Sequence, residues 1–380
     1  NDPAFSVDDE SAEAILSLVQ RLDGLPLAIE LAARWISALE IDEITTMLEE
    51  SRGLSREDEH PLGSAIDWSL DLLATDDREL LLATAVFHGS YSLDAAHAIC
   101  DSERSRARFS AAMARLVDAS LVTVDRGRGG LRYRSLAPIR ERLIDIGDPT
   151  SDRDPRAHAS FFLELAAEGI DDLYGAITDL TELASSIADI RAALTYGLTH
   201  GLHDDVAKAL SRLTHYFHTH YLHWESQSWL DRVLACDLDP IVRGYALRAK
   251  GSGSQILGMQ SIAAAAFEDA IAIFERHDME DWAMRILLSL SGVYSNSGRW
   301  DEGLDAAQRN LEHVTRAGDR SAEAMARYYV GENAFGRGEM AVGQRDMAAA
   351  ARVFDERGEF SRAAYTASQA SKAASLAGDS

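Results

Sequence analysis

Apolar residues recur at helical spacing from the start of the chain. Ala14, Ile15, Leu18 and Leu22 fall three and four apart, which predicts a first helix over 8–21 with Ser11 or a neighbouring aspartate as its cap. A second helix is expected from about Pro26 to Leu39, with Leu27, Leu31, Ile36 and Leu39 on one stripe. Pro26 suits its first turn, where the amide that proline lacks would have no partner anyway. A short third helix is expected over Ile41–Glu50, and the polar run Ser51–His60, ended by Pro61, reads as a linker. The pattern then changes. Helices are expected near 63–73, 76–87, 92–100 and 107–119, followed by two strand-like runs, Leu121–Val124 and Leu131–Ser135, around the turn-forming stretch 125–130. Leu131 and Tyr133 alternate with Arg132 and Arg134, which suits a half-buried hairpin. Helices followed by a hairpin make a winged helix, and the prolines at 149 and 155 mark its end.

Beyond Pro155 almost everything reads as helix, and the last third repeats itself. Gly258, Gly298, Gly338 and Gly378 are 40 residues apart, as are Asp281, Ser321 and Ser361, which are expected as helix N-caps. Ala263, Gly303 and Gly343 keep the same register, and so do Phe274, Val314 and Phe354. The physical reading is a helix–turn–helix unit in which glycine turns the chain and small residues let paired helices approach closely. The period exceeds the roughly 34 residues of a tetratricopeptide unit, so each helix should be longer by most of a turn. The fold class expected is mainly α: a helical segment (1–60), a winged helix with a small β-hairpin (61–150), irregular helical pairs (151–240), then a tetratricopeptide-like α-solenoid (241–380).

Composition narrows the function classes. The net charge of -25, from 62 acidic against 37 basic residues, disfavours direct nucleic-acid binding, which requires Lys and Arg to displace counterions. Acidity concentrates in residues 1–75, with 17 Asp and Glu against 4 Arg, whereas 76–150 hold 11 against 11. No apolar run approaches the roughly eighteen residues of a membrane span. Cys100 and Cys236 stand far apart, which leaves no dithiol zinc motif or disulfide framework and fits a reducing cytoplasm. The chain opens on Asn1 without a leader and reads as a piece of a longer protein.

The segment Gly24-Leu25-Pro26-Leu27, followed by Ala28-Ile29-Glu30-Leu31, resembles the GLPL motif of the NB-ARC class of STAND ATPases, in particular their bacterial LuxR- and AfsR-like transcriptional regulators. Leu116-Val117-Asp118-Ala119-Ser120-Leu121-Val122 and Tyr133–Glu141 resemble that family's winged helix. Ile187–Leu194 is similar to its N-x-R-A-A-L helix, and Trp224–Leu234 to its E-G-R-x-W-L element, so the likeness covers roughly residues 8–235. The resemblance implies that Gly24, Leu25, Pro26 and Leu27 close over the adenine side of ADP or ATP held by a nucleotide-binding domain outside this chain. Many relatives place a histidine at the start of the helix after the wing, against the β-phosphate. Here Ser135-Leu136-Ala137 stand instead, so a histidine lock on ADP is not expected; Arg140 or a wing arginine is the substitute. No G-x-x-x-x-G-K-[ST] loop occurs, so no ATPase activity and no bound cofactor are expected of this chain alone.

Other chemistry is thin. His215, His218, His220 and His223 lie among aromatics; on one helix they would form two pairs pointing apart, with no carboxylate to complete a metal site. Gly251-Ser252-Gly253-Ser254 reads as close packing inside a repeat helix, and no catalytic set is expected. The resemblance implies a nucleotide-gated regulatory switch whose solenoid receives a protein or small-molecule signal. A nucleotide-independent tetratricopeptide scaffold and the regulatory half of a STAND-linked nucleotide cyclase are the alternatives.

Overall fold

The computed structural model describes residues 9–37, 39–54, 61–127, 130–147, 153–168 and 181–377. The chain divides into two compact units: residues 1–162 with 179–196, and residues 163–178 with 197–380. The fold is mainly α, a helical segment and winged helix followed by a tetratricopeptide-like solenoid.

The first unit opens with α1 (Asp9–Arg21), α2 (Pro26–Ala33) and α3 (Ile41–Leu54). Of the predicted stripes Leu18, Leu22 and Leu31 are buried and Ala14, Ile15, Leu27, Ile36 and Leu39 half-buried, and Ile44 of α3 joins the core. The second helix is shorter than its periodicity predicts. After Ala33 the chain tightens into a 3-10 turn, Arg34–Ser37, where the Arg34 Nε donates to the Ser120 hydroxyl at 2.8 Å. The third helix instead runs past Glu50 to Leu54, into the expected linker, and residues 55–60 lie outside the described residues. Helix α4 (Pro61–Asp71) packs on α2 and α3, with the Trp35 and Trp68 rings 5.8 Å apart.

The winged helix comprises α5 (Thr75–Ala83), α6 (Leu93–Cys100), α7 (Arg106–Asp118), β1 (Thr123–Gly127), β2 (Gly130–Arg134) and α8 (Ala137–Ile146). The strands pair antiparallel with Thr123 opposite Arg134, and Tyr91 forms an isolated bridge to β2 by exchanging 2.9 and 2.8 Å backbone bonds with Tyr133. The first strand starts two residues later than expected. Ser120 takes a left-handed φ of 56°, and the Leu121 and Val122 amides both donate to the Leu116 carbonyl, so these two fully buried residues cap α7 instead. The alternation expected in β2 is overturned: Leu131 is 45% exposed, and Arg132 turns inward to partners described below. Helices α9 (Arg153–Ala167) and α10 (Thr181–Thr199) follow, the first unit taking them up to residue 162 and to residue 196.

The second unit continues with α11 (His203–Thr219), α12 (His223–Leu234), α13 (Pro240–Ile256) and α14 (Gln260–Arg276). It ends with α15 (Glu280–Asn296), α16 (Trp300–Ala317), α17 (Arg320–Gly336), α18 (Met340–Glu356) and α19 (Phe360–Ala377). Helix starts at 260, 300 and 340 interleave with starts at 280, 320 and 360, which gives the predicted 40-residue period. The turns repeat at half that step. Gly258, Asp278, Gly298, Gly318, Gly338 and Gly358 all have φ between 57° and 90°, one left-handed residue every twenty. Gly378 lies outside the described residues. The expected caps are corrected: Asp281, Ser321 and Ser361 each sit one residue inside the helix. Before α17 the cap is Asp319, whose Oδ1 accepts from the Ser321 and Ala322 amides at 3.0 Å.

Small residues mark where helices cross. A Cβ on Gly331 would lie 3.0 Å from the Gly343 carbonyl oxygen and 2.7 Å from Met347 Cγ, so α17 and α18 meet glycine on glycine. Gly331→Ala should therefore lose stability although alanine favours helix by about 1 kcal/mol. Overpacking costs about 1–3 kcal/mol, so the urea midpoint should fall by the equivalent of about 1–2 kcal/mol. An unchanged or higher midpoint would show that the two helices separate without penalty.

Candidate functional site

The Gly24–Leu27 segment is a tight corner between α1 and α2. Asp23 and Gly24 both take left-handed φ values, 53° and 66°, and the Gly24 amide closes on the Val19 carbonyl at 3.0 Å. A Cβ on Gly24 would meet nothing within 4 Å, so glycine is required there by conformation and not by space. Leu25 is extended (φ -71°, ψ 118°), and Pro26 begins the helix without any side-chain cap. Leu22 is buried, Leu25 and Leu27 are half-buried, and Pro26 is exposed. The corner thus presents its proline to solvent. Behind it, α2 is braced on the winged helix: the Ser120 hydroxyl donates to Glu30 at 2.9 Å and accepts from Arg34.

Arg140 sits in the first turns of α8. Its Nε donates to the Phe87 carbonyl at 2.6 Å, and burial pulls the guanidinium below its ordinary range. No hydrogen bond among the described residues joins Arg140 to Gly24–Leu27. It faces a cavity of about 610 Å³ walled by residues of α5, the turn after it, α8, α9 and α10, including Leu82, Val86, His88, Leu143, His158 and Tyr196.

Behind that wall lies a network that sequence reading did not find. Asp189, fully buried in α10, accepts the His88 amide at 2.6 Å and stands 2.9 Å from His158 Nε2 through the same oxygen. Its Oδ2 has no hydrogen-bond partner among the described residues. Arg132 reaches from β2 to Ser90, to the Ser185 carbonyl at 3.1 Å and to the Ser186 hydroxyl at 3.1 Å, so a wing strand is stitched to α10. Burial, then the nearby Arg140, hold His88 below its usual range. The available signal was a lone aspartate within the apolar run Ile187, Ile190, Ala193, Leu194. A buried carboxylate needs donors, and a run of that kind places it where they must come from elsewhere in the fold.

The arginines of α7, Arg106, Arg108 and Arg115, are exposed, and two of them are ion-paired. Arg115 grips the buried Asp77 through two 2.6 Å bonds, Arg106 pairs with Asp94, and Arg104, just before the helix, pairs with Asp101. Such pairing removes charge that phosphates would otherwise recruit.

In the second unit His218 ends in α11, whereas His223 opens α12 after a left-handed Tyr221, so the histidine pairing expected on one helix is corrected. Their rings stand 5.3 Å apart across the turn, and burial, then His223, push His218 down to about 4. Among the described residues no group of three His, Cys, Asp or Glu could hold a metal. Farther along, α14, α15 and α16 enclose a groove of about 500 Å³ with a floor of Ile271, Leu287 and Leu290 and a rim of Glu268, Glu275, Asp301, Glu302, Asp305 and Arg309. Tyr294 donates to Glu268 at 2.6 Å there, and burial raises its hydroxyl to about 12. No helix of the described residues is long and apolar enough to cross a membrane.

Comparison with known proteins places part of this architecture. Residues 73–141 match the winged helix-turn-helix domain family. An uncharacterized protein of Mycobacterium tuberculosis is 32% identical over 150 residues, 37% of this chain and 38% of that protein. A second protein of the same organism, provisionally named an HTH-type transcriptional regulator, is 32% identical over 174 residues, 43% of this chain and 20% of its own length. The matched stretch thus spans well under half of either relative. Among solved structures, a STAND protein with a tetratricopeptide repeat sensor from Pyrococcus horikoshii aligns with 93% of this chain and 65% of its own. Its identity is 13% and its TM-score 0.37, values that carry no argument about this chain.

Proposed function

We propose that this chain is the regulatory and ligand-sensing part of a nucleotide-dependent signal-transduction ATPase that controls transcription. The observation that carries the reading is the exposed Pro26 at an uncapped helix start, flanked by half-buried Leu25 and Leu27 and braced through Glu30, Ser120 and Arg34 on the winged helix. A rigid apolar corner on the surface suits a flat base, and the brace suits transmission of a change there to the winged helix. The nucleotide would be held by a separate phosphate-binding domain. Arg140 is left out of this reading, since its Nε is engaged by the Phe87 carbonyl. Arg106 pairs with Asp94 and Arg115 with Asp77, which offsets part of the positive charge on α7, and this reading gives the winged helix protein contacts in place of DNA. The repeats would bind the signal, and the acidic groove over Leu287 and Leu290 suits a basic, amphipathic protein segment.

The test uses the longer protein that contains this chain. It should carry ADP through purification, and Pro26→Glu should reduce nucleotide retention by about tenfold or more, since a buried charge against the base is strongly unfavourable. Equal retention by wild type and variant, or a reading frame with no phosphate loop upstream, would leave the nucleotide-independent scaffold as the better account.

A further inference from the structure

The cavity beside Arg140 is not used by that reading. It is of small-molecule scale, about 610 Å³, and its walls are mainly apolar, with Leu82, Val86, Leu143 and Ile144 among them. One wall is cationic. Arg140 is half-buried with its Nε committed to the Phe87 carbonyl, and no hydrogen bond is made by its two terminal nitrogens among the described residues. The buried Asp189 directs one oxygen to the His88 amide and His158; its charge offsets part of that on Arg140, but no hydrogen bond among the described residues joins the two side chains. A guanidinium held in an apolar wall with its fork open is complementary to a single planar carboxylate, which it can engage through two parallel bonds.

We propose that this cavity binds a small amphipathic monocarboxylate, its head group paired with the terminal nitrogens of Arg140 and its hydrocarbon body lying along Leu82, Val86, Leu143 and Ile144. A single negative charge fits better than a phosphate ester. Glu79 also lines the cavity and opposes a second charge, and neither a lysine nor a glycine-rich turn lines it. A neutral ligand would leave the guanidinium unpaired, and an amine would be repelled by it. The walls come from α5 and the turn after it, α8, α9 and α10, and include no residue of the Gly24–Leu27 corner or of the repeats.

Calorimetric titration of the whole chain with octanoate, 4-phenylbutyrate, 1-octanol and octylamine tests this. At least one of the two carboxylates should bind with unit stoichiometry and about tenfold more tightly than 1-octanol, the increment of one charge-assisted pair. Octylamine should bind more weakly still. Arg140→Gln should erase the preference for carboxylate over alcohol, whereas Arg140→Lys should retain part of it. Ala192→Phe, which fills the cavity from α10, should abolish binding of all four. The proposal is overturned if neither carboxylate binds, if 1-octanol binds as tightly as both, or if the carboxylates bind Arg140→Gln undiminished. Should Arg140→Gln fail to fold, the charge series on the wild type together with Ala192→Phe still decides. Loss of nucleotide retention in the Pro26 variant bears on the other proposal alone.

Discussion

Asp189→Ala should destabilise the first unit by about 3–5 kcal/mol, the range for removing one member of a buried, hydrogen-bonded charged group. The side chain is fully buried and holds two groups that no other residue can hold: the His88 amide and the His158 ring. Truncation leaves both without the carboxylate that joins them. It also removes the negative charge that offsets the desolvated Arg132 and Arg140. Asp189→Asn keeps an acceptor for the His88 amide and should cost less, about 1–3 kcal/mol, the penalty of an imperfectly satisfied polar group. Urea unfolding gives the size of the effect. Hydrogen exchange at residues 88–91 gives its location, because that segment is tied to α10 by Asp189 and Arg132. A melting curve for the alanine variant within about 0.5 kcal/mol of wild type, the range of an inconsequential surface change, would mean that the carboxylate is not a tie.

Phe274→Ala should cost a similar amount, about 3–5 kcal/mol, for a different reason. Phe274 is fully buried, with its ring 5.4 Å from Tyr245 and 5.5 Å from Trp282, and it fills the space left by Gly244, where a Cβ would come within 2.9 Å of its Cζ. No smaller neighbour can collapse into the void without moving α13 against α14. In a stacked array each hairpin rests mainly on its neighbours, so exchange protection should fall first in α13–α15 and hold in α18 and α19. Uniform loss of protection along the whole array would contradict this local picture. Val314→Ala, at the matching position of the next repeat and 8% exposed, removes far less volume and should cost correspondingly less.

What the chain reveals about itself follows the range of the interactions concerned. Helix periodicity, the proline at the head of α2 and the 40-residue spacing of Gly258, Gly298 and Gly338 are local properties, and the fold contains each of them. Half of the repeat's turns went unseen for a local reason too: Asp278 occupies a left-handed position that glycine fills at 318 and 358, so no glycine column starts in the first repeat. Ser321 looked like a cap because it lies beside one; Asp319, two residues earlier, makes the bonds. Long-range partners were invisible. Arg132 looked like the outward member of an alternating strand, and only the folded chain brings Ser185 and Ser186, more than fifty residues away, within its reach. Of the candidate site residues, the need for glycine at position 24 could be read from the turn it makes. The engagement of Arg140 with a carbonyl at position 87 could not be, because nothing near Phe87 in sequence marks its carbonyl as an acceptor.

The regular spacing of left-handed residues from Gly258 to Gly358 limits how this protein can change length. Adding or removing forty residues between equivalent turns restores every crossing, including the meeting of Gly331 with Gly343, one hairpin further along. A change of twenty would put each helix in the role of its hairpin partner and set bulky side chains where the chain needs none. Duplication of whole hairpins is therefore the tolerated route by which such an array lengthens or shortens, and its binding surface can be resized without redesigning any single joint.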